Sequence, residues 1–274
     1  MTARIRLMTF NLRGATSWDG WNMWPMRIPL VLDLLRAYAP DVTGFQEAHP
    51  LNLLALRRWR SKGWYHGLRS GDRLSGPYNP LCWRTDSVRA GARGAFYLSA
   101  TPERRSKSWG SRHIRTATWA ELVTSAGAFR CVNVHLDNAS RRARVEAVRL
   151  ILHRLAALGG DVPTVLLGDF NQDPAGQVYE LLTAGGLRDA WLEAGREDDE
   201  EAFTIHRFTG KRLTGEGRID WVFVSKHFDV GQADIVKNGR APRYPSDHFP
   251  VLVDLRLRSS PSAPCSRSLP RTPM

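Results

Sequence analysis

Two segments of this sequence repeat one pattern, in which an apolar strand is followed by an amphipathic helix and then by a second apolar strand. The first segment ends its strands at Asn11 and Glu47, and the second ends its strands at His135 and Asp169. The repeat lies in the pattern and not in residue identity. The predicted strands cover residues 5–10, 42–45, 129–134 and 164–167, and the predicted helices cover residues 26–38 and 141–158.

Five further β-type stretches lie between and after these two units. Two sheets packed face to face, with the helices outside, would accommodate this order of elements, so we predict an α/β fold. In such a layout the strand ends at one edge can converge on a single cleft. The further predicted strands cover residues 81–84, 95–98, 116–123, 220–225 and 251–255.

The 274 residues, of which 42% are hydrophobic, predict one large domain over residues 1–257. Residues 258–274 have little to bury and predict a disordered basic tail. Because no apolar run approaches the roughly 20 residues of a membrane span and no signal peptide is recognisable, we expect a cytoplasmic protein without stable membrane insertion. We also expect it to be a monomer. The three cysteines, which we expect to be reduced thiols without zinc-type spacing, are Cys82, Cys131 and Cys265.

The formal net charge of +12 and the pI near 10.3 favour polyanionic partners, whether nucleic acid, phosphorylated metabolites or an anionic membrane surface. A generally arginine-rich proteome is the alternative explanation, since charge alone does not select a substrate. The basic residues concentrate in three runs: Arg57, Arg58, Arg60 and Lys62; Arg104, Arg105, Lys107, Arg112 and Arg115; and Arg141, Arg142 and Arg144.

Polar side chains stand at the ends of many of the predicted strands. A carboxylate there is costly to desolvate unless it is paired or binds a cation. The set contains hard oxygen ligands and imidazoles but no thiolate, which suits Mg²⁺ or Mn²⁺ and does not suit a structural zinc site. Its members are Asn11, Glu47, His135, Asp137, Asp169, Asn171, Asp220, Asp247 and His248.

Each of these residues also has an explanation without catalysis. Asn11 could complete a turn, Glu47 could stand at a helix N-terminus, and His135 could be a core histidine. Asp169 and Asn171 could both be turn formers. All of these explanations would have to hold at once for the set to carry no function.

Six motifs, in this order along the chain, resemble the endonuclease/exonuclease/phosphatase superfamily, which has the DNase I-like fold. They are MTFNLRG, GFQEA, VNVHLD, LLGDFNQDP, GRIDWVFVS and YPSDHFPV, and the resemblance runs from about Thr9 to Val253. PYNPLCWR and SWGSRHIRTATWAEL further resemble an uncharacterised, mostly bacterial branch of that superfamily. The resemblance implies a four-layer α/β/β/α sandwich and divalent-metal-dependent cleavage of a phosphate ester by water.

The resemblance also implies where a metal ion and the attacking water would lie. Glu47 would be the principal ligand of Mg²⁺ or Mn²⁺, with Asn11 and Asp247 close to it. Asp169 would orient or deprotonate the attacking water, and Asn171 would hold the water and a phosphate oxygen.

Four further residues complete the site that the resemblance implies. His248 would contact the scissile phosphate, with Asp220 fixing the orientation of its imidazole. His135 would bind phosphate or act as an acid toward the leaving oxygen, and Arg115 would bind phosphate.

In one position the sequence departs from the family pattern. Where relatives carry an acid that orients the histidine corresponding to His135, this chain has Asn79, which supplies no charge. Asn79 is therefore predicted to bind the phosphate or its water.

A nuclease acting on DNA or RNA is the preferred function. The positive charge favours it, as do aromatic residues interleaved with basic ones, in Arg58-Trp59-Arg60 and at Trp109 near Arg112. The tryptophans could equally be core residues. The other candidates are a small-molecule or inositol-type phosphatase, a lipid phosphodiesterase and a non-catalytic nucleic-acid-binding relative.

Overall fold

The computed structural model describes residues 3–57, 62–65, 67–68, 77–159, 161–239, 241 and 243–258. The strands are β1 Ile5–Asn11, β2 Val42–Gln46, β3 Lys62–Tyr65, β4 Leu81–Arg84, β5 Arg89–Tyr97, β6 Thr116–Thr124, β7 Gly127–His135, β8 Thr164–Asp169, β9 Arg188–Asp189, β10 Asp220–Val224, β11 Phe228–Ile235 and β12 Val251–Leu257. The helices are α1 Trp24–Tyr38, α2 Pro50–Leu56, α3 Arg141–Ala157, α4 Gln177–Ala184 and α5 Ala190–Glu193, with a 3-10 turn at Gly20–Asn22.

The strands form two mixed sheets of six strands each. The first sheet has the order β11-β12-β1-β2-β4-β3, and the second has the order β5-β6-β7-β8-β10-β9. In each sheet one central pair is parallel, β1 with β2 and β7 with β8, and the other neighbours run antiparallel. Each parallel pair is joined by a helix, because a chain must cross over to return in the same direction.

The two sheets and a layer of helices on the outer face of each make four layers, and three apolar clusters lie between them. Leu7, Phe129 and Leu167 belong to the cluster between the sheets. The helices α1 and α2 pack on the outer face of the first sheet through a second cluster, and α3 and α4 cover the second sheet through a third. In that third cluster Phe170 stacks on Trp221 with ring centroids 4.6 Å apart. The predicted α/β/β/α sandwich is therefore confirmed.

Two glycines permit the close approaches on which the site depends. A Cβ at Gly44 would lie 2.2 Å from Leu167, so this residue lets the two sheets meet. Gly168 has φ +149°, and a Cβ there would lie 2.0 Å from the carbonyl oxygen of Val134. Since Gly168 precedes Asp169, a side chain at this position would push the strand end that carries Asp169 away from β7.

The structure contains elements that the pattern did not predict. Helix α1 begins at Trp24 rather than at residue 26, and β5 extends back to Arg89. The unpredicted elements are β3, β9, β11, α2, α4 and α5. Helix α2 has apolar residues on both faces, with Leu51 and Leu54 exposed, so it lacks the contrast that marks an amphipathic helix. Strand β11 is an edge strand with few buried positions.

Some predictions concern residues outside the described part of the chain. Residues 259–274 of the predicted tail, with Cys265, are among these, as is the Arg58-Trp59-Arg60 run. Cys82 and Cys131 are buried free thiols. Among the helices of the described residues, none is both long enough and apolar enough to cross a bilayer.

Candidate active site

One cavity of about 400 Å³ collects most of the residues that the sequence singled out. Asn11 and Asp220 lie directly behind its wall and are 1% exposed. The cavity is lined by Arg13, Asp19, Glu47, Arg115, His135, Asn138, Asp169, Asn171, Ile205, Arg207, Phe208, Asp247 and His248.

Asp169 is the central carboxylate of the cavity. It is the last residue of β8 and is only 1% exposed. Its Oδ2 accepts a hydrogen bond from Asn11 Nδ2 at 2.9 Å and lies 3.4 Å from His135 Nε2, and its Oδ1 accepts one from the backbone N–H of Asn171 at 2.9 Å. Burial, and then the charge of Asp220, raise the pKa of Asp169 to about 7. The carboxyl is thus held in one orientation and titrates near neutrality.

His248 and Asp220 form a second buried unit. His248 Nδ1 lies 2.8 Å from Asp220 Oδ2, and both side chains are at least nine-tenths buried. Burial by itself would lower the pKa of His248, but the carboxylate of Asp220 outweighs burial and raises the pKa well above its ordinary value. The imidazole is therefore cationic at neutral pH.

Glu47 and Asp247 supply two further carboxylates to the lining of the cavity. Glu47 follows β2 with φ +55°, and its Oε2 accepts a hydrogen bond from the backbone N–H of Gly14 at 3.1 Å. Burial raises the pKa of Asp247, and the charge of Glu47 adds to this effect. Asn11 Nδ2 also lies 3.5 Å from Glu47 Oε1, so one amide reaches both Glu47 and Asp169.

The donor set of the cavity fits a hard divalent cation. Glu47 and Asp247 are carboxylates that repel each other, and a cation between them would relieve this repulsion. A second group, in which one ligand atom each of Asp169, Asp220 and His248 lie within 4.8 Å of one another, could also hold a metal ion. Because His248 and Asp220 are already hydrogen-bonded to each other, Glu47 and Asp247 are the better ligand pair.

His135 and Arg115 line the wall beside Asp169. His135 ends β7 opposite Asp169 in the parallel register, and it is 3% exposed. Burial, together with the positive charge of Arg115, lowers the pKa of His135 well below its usual value, so the imidazole is neutral. Arg115 Nε lies 4.0 Å from Asp137 Oδ2.

Asp137 is not among the residues that line the cavity. Burial alone would raise its pKa, but the backbone N–H groups of Ser140, His113 and Ala139 and the hydroxyl of Ser111 lower it to about 2. Asp137 therefore holds together the chain segments on either side of the cavity wall.

Asn79 and Asn171 occupy different positions relative to the cavity. Asn79 is fully buried, and its Nδ2 donates to the carbonyl oxygen and the hydroxyl of Thr116 at 3.1 and 3.3 Å. It is not among the residues that line the cavity; it supports the start of β6, and its role at a phosphate stays a prediction. Asn171 does line the cavity, and its Nδ2 donates to the carbonyl oxygen of Leu136 at 3.0 Å.

Backbone strain also concentrates at this cavity. Among the described residues, seven non-glycine residues have positive φ, and five of them line the cavity. These five are Arg13, Glu47, Asn171, Arg207 and Phe208. Arg13 forms an ion pair with Asp19 at 3.0 Å.

The sequence patterns did not indicate Arg207 and Phe208, because the loop that carries them has neither periodicity nor a family motif. The loop is tied to the site by the backbone N–H groups of His206 and Arg207, which donate to the carbonyl oxygen of Asp247 at 2.9 and 3.1 Å.

A buried arginine that the sequence patterns also missed links helix α1 to two chain segments next to the cavity. Arg27 of α1 is 1% exposed and donates hydrogen bonds to the carbonyl oxygens of Leu12, Arg13 and Pro245. Its guanidinium carbon lies 5.7 Å from the ring centroid of Phe208. Burial lowers the pKa of Arg27 to about 10, which leaves it charged at neutral pH. Arg27 thus supplies a fixed positive charge behind the carboxylates.

The chain resembles known proteins over most of its length. A model of the endonuclease/exonuclease/phosphatase family matches residues 8–248. Over 115 residues the chain is 26% identical to a Nocturnin of Xenopus laevis, a match that covers 38% of the chain and 30% of that protein. The matched part thus spans about a third of the length of that relative.

Two solved structures from Bacteroides thetaiotaomicron have the same fold. An endonuclease/exonuclease/phosphatase family protein is 27% identical with a TM-score of 0.84, and the match covers 94% of this chain and 99% of that one. A mannosyl-6-phosphatase is 28% identical with a TM-score of 0.82, and the match covers 92% of this chain and 99% of that one.

The family match and the fold confirm the resemblance that the six motifs indicated. Members of the family are metal-dependent phosphoester hydrolases, and the carboxylates of this cavity fit a divalent cation. The chain belongs to the endonuclease/exonuclease/phosphatase family.

Proposed function

We propose that the chain hydrolyses phosphodiesters of DNA or RNA by attack of water, with Mg²⁺ or Mn²⁺ held by Glu47 and Asp247. The observation that carries the proposal is the meeting of three different units in one cavity: a desolvated carboxyl at Asp169, a cationic His248–Asp220 pair, and two carboxylates suited to a cation. Each unit alone has a structural explanation, but the three together match what phosphoester hydrolysis requires.

Asp169 is the proposed proton acceptor. A divalent cation held by Glu47 and Asp247 would neutralise charge on the phosphate and on the leaving oxygen. The Asp169 carboxylate then accepts a proton from the attacking water, and a pKa of about 7 makes it a stronger base than an ordinary aspartate. Asn11 orients this carboxylate through its Nδ2, and Asn171 is proposed to bind the water and a phosphate oxygen.

The other side chains of the cavity are proposed to bind the phosphate. The cationic imidazole of His248, oriented by Asp220, donates a hydrogen bond to a phosphate oxygen and stabilises the charge that develops there. Arg115 contributes a second positive charge. Since His135 is neutral, its role is to donate a hydrogen bond near the leaving oxygen, and not to act as a strong acid.

A hydrolysis assay tests the proposal. Protein stripped with EDTA and reloaded with Mg²⁺ or Mn²⁺ is incubated with bis-p-nitrophenyl phosphate, single-stranded DNA, RNA and plasmid. We expect metal-dependent cleavage by the wild-type protein and by the control Asp33→Asn, which alters an exposed helix residue. His248→Ala should be inactive while keeping its circular dichroism spectrum. Full activity of His248→Ala would contradict the proposed mechanism.

A small phosphate monoester is the second candidate substrate. A cavity of about 400 Å³ has the size of a small-molecule site, and one relative of similar length is a mannosyl-6-phosphatase. The same assay with mannose 6-phosphate and inositol phosphates separates the two. Cleavage of these monoesters alone would reject the nuclease, whereas binding of DNA without any hydrolysis would support a non-catalytic relative.

A further inference from the structure

Two runs of basic residues are separate in the sequence. Apart from Arg115, their basic residues take no part in the proposed chemistry. Residues 104–115 contain five Lys or Arg and no Asp or Glu, and residues 138–149 contain four Arg and one Glu. These two stretches supply most of the net charge of +12.

The structure brings the two runs together at the start of α3. The hydroxyl of Ser140, the residue before α3, donates to the carbonyl oxygen of Trp109 at 2.8 Å. Asp137 receives hydrogen bonds from the hydroxyl of Ser111 at 2.9 Å and the backbone N–H of His113 at 3.1 Å. The two runs therefore form one surface.

This surface adjoins the candidate active site. Arg115 ends the first run and Asn138 begins the second, and both line the catalytic cavity. Further along α3, a groove of about 410 Å³ is lined by Arg141, Arg142 and Arg149. A phosphate chain that leaves the cavity on this side would pass over exposed guanidinium groups.

Few carboxylates offset this charge. Glu146 forms an ion pair with Arg149 at 2.5 Å, and Glu103 pairs with Arg154, so each of these acids is already paired with an arginine. Asp137 is 2% exposed and faces backbone N–H groups. We define the basic surface by its exposed residues Arg104, Arg105, Lys107, Arg112, Arg141 and Arg142.

The lack of large exposed hydrophobic side chains at this surface, among the described residues, distinguishes between two polyanions. Membrane-docking surfaces combine basic residues with apolar side chains that enter the bilayer. Eight large hydrophobic side chains are exposed in the described part of the chain, and none of them lies within residues 104–115 or 138–149. The phosphodiester backbone of a nucleic acid needs only the positive charges.

We infer that the basic surface binds the sugar–phosphate backbone of a nucleic acid whose neighbouring phosphodiester occupies the catalytic cavity. The inference rests on the proposed nuclease function and extends it, because it assigns the substrate a length of several nucleotides. Binding through this surface releases counterions from the strand, so the affinity depends on salt concentration.

The test measures binding apart from catalysis. A fluorescein-labelled single-stranded 20-mer is titrated with protein in EDTA at several KCl concentrations, and fluorescence anisotropy gives the dissociation constant. We expect Arg141→Gln/Arg142→Gln and Arg104→Gln/Arg112→Gln each to weaken binding about tenfold at low salt. Each pair should also reduce the slope of log affinity against log salt by about 1.4, from roughly 0.7 per lost contact.

A matched control removes two charges elsewhere. Arg89→Gln/Arg93→Gln alters exposed arginines of β5. Arg89 lies at the end of β5 that is remote from the cavity. The other end of this strand is about 26 Å away, at roughly 3.3 Å per residue. This control should change the affinity less than twofold. All three double variants should hydrolyse bis-p-nitrophenyl phosphate at the wild-type rate, because that substrate does not reach the basic surface.

Two outcomes would overturn the inference. One is equal affinity of the basic-surface variants and the control for the 20-mer. The other is that vesicles of equal parts phosphatidylglycerol and phosphatidylcholine displace the 20-mer from the wild-type protein and that the basic-surface variants no longer bind these vesicles. That result would assign the surface to membranes. Failure of the proposed function is seen separately, as wild-type protein that does not hydrolyse bis-p-nitrophenyl phosphate.

Discussion

The two strand–helix–strand units of this protein share a layout and differ in the environment of the acid that each provides. In β1–α1–β2 the acid is Glu47, which follows the strand with φ +55° and remains half-buried on the cavity wall. In β7–α3–β8 the acid is Asp169, which stays inside the strand, opposite His135, and is 1% exposed.

This difference of position separates two chemical roles. A carboxylate that keeps access to the cavity can share its charge with a hydrated cation. A carboxylate held among Asn11, His135 and Asp220 loses hydration, and its pKa rises toward neutrality, as a proton acceptor requires. We propose that the same supersecondary unit serves metal binding in one sheet and proton transfer in the other, and the predictions below test that division.

The largest expected effect is the loss of the proton acceptor. Asp169→Asn should lower kcat/KM for bis-p-nitrophenyl phosphate by about a thousandfold, within the range known for general bases. Mn²⁺ affinity, measured by calorimetry, should change little, because Glu47 and Asp247 remain. Activity within tenfold of the wild type would remove Asp169 from the proposed chemistry.

The same substitution should stabilise the metal-free protein at higher pH. Folding raises the pKa of Asp169 from 3.8 to about 7, so its contribution to stability is complete below pH 4 and is lost as the pH rises through 7. In Asp169→Asn this loss is absent. The free energy of unfolding of the variant, measured with urea in EDTA, should gain on that of the wild type by about 4 kcal/mol between pH 4 and pH 8. A pH-independent difference would mean that Asp169 is not desolvated.

Glu47→Gln should act on the metal and not on proton transfer. We expect the Mn²⁺ concentration for half-maximal activity to rise about a hundredfold, since the principal charged ligand is lost. Saturating Mn²⁺ should restore much of the rate, in contrast to Asp169→Asn. If saturating metal restores nothing, the two acids do not have separate roles.

Asp220→Asn should give the smallest effect and change the pH dependence. Without the Asp220 carboxylate the pKa of His248 falls, so the imidazole loses its proton at a lower pH than in the wild type. Activity should fall about tenfold at pH 8 and less at pH 6. A uniform loss at all pH values would indicate that Asp220 only positions His248.

Much of the site could be predicted because its residues stand at the ends of apolar strands, which the local hydrophobic pattern marks. Asn11, Glu47, His135 and Asp169 each follow or end an apolar strand, and the structure gathers them around one cavity. Asn79 was predicted to bind the phosphate because the sequence shows only its place in a motif. Its burial beside β6 depends on hydrogen bonds to Thr116, which the sequence does not show.

Other residues gave no signal in the sequence because their roles arise from contacts between distant segments. Arg27 belongs to an ordinary amphipathic helix, and its use of the carbonyl oxygens of Leu12, Arg13 and Pro245 depends on how α1 packs. Arg207 and Phe208 lie in a loop whose left-handed backbone no periodicity encodes.

The sequence by itself determined nine of the twelve strands described, the two repeated units and the polar residues at their ends, because these follow from local hydrophobic periodicity and from motif order. Only the tertiary structure decided which acid is desolvated and which stays accessible, and that the two basic runs meet beside the cavity. Desolvation and electrostatic coupling depend on atoms far apart in the chain, such as Asp169, Asp220 and His248, and the fold alone brings these together.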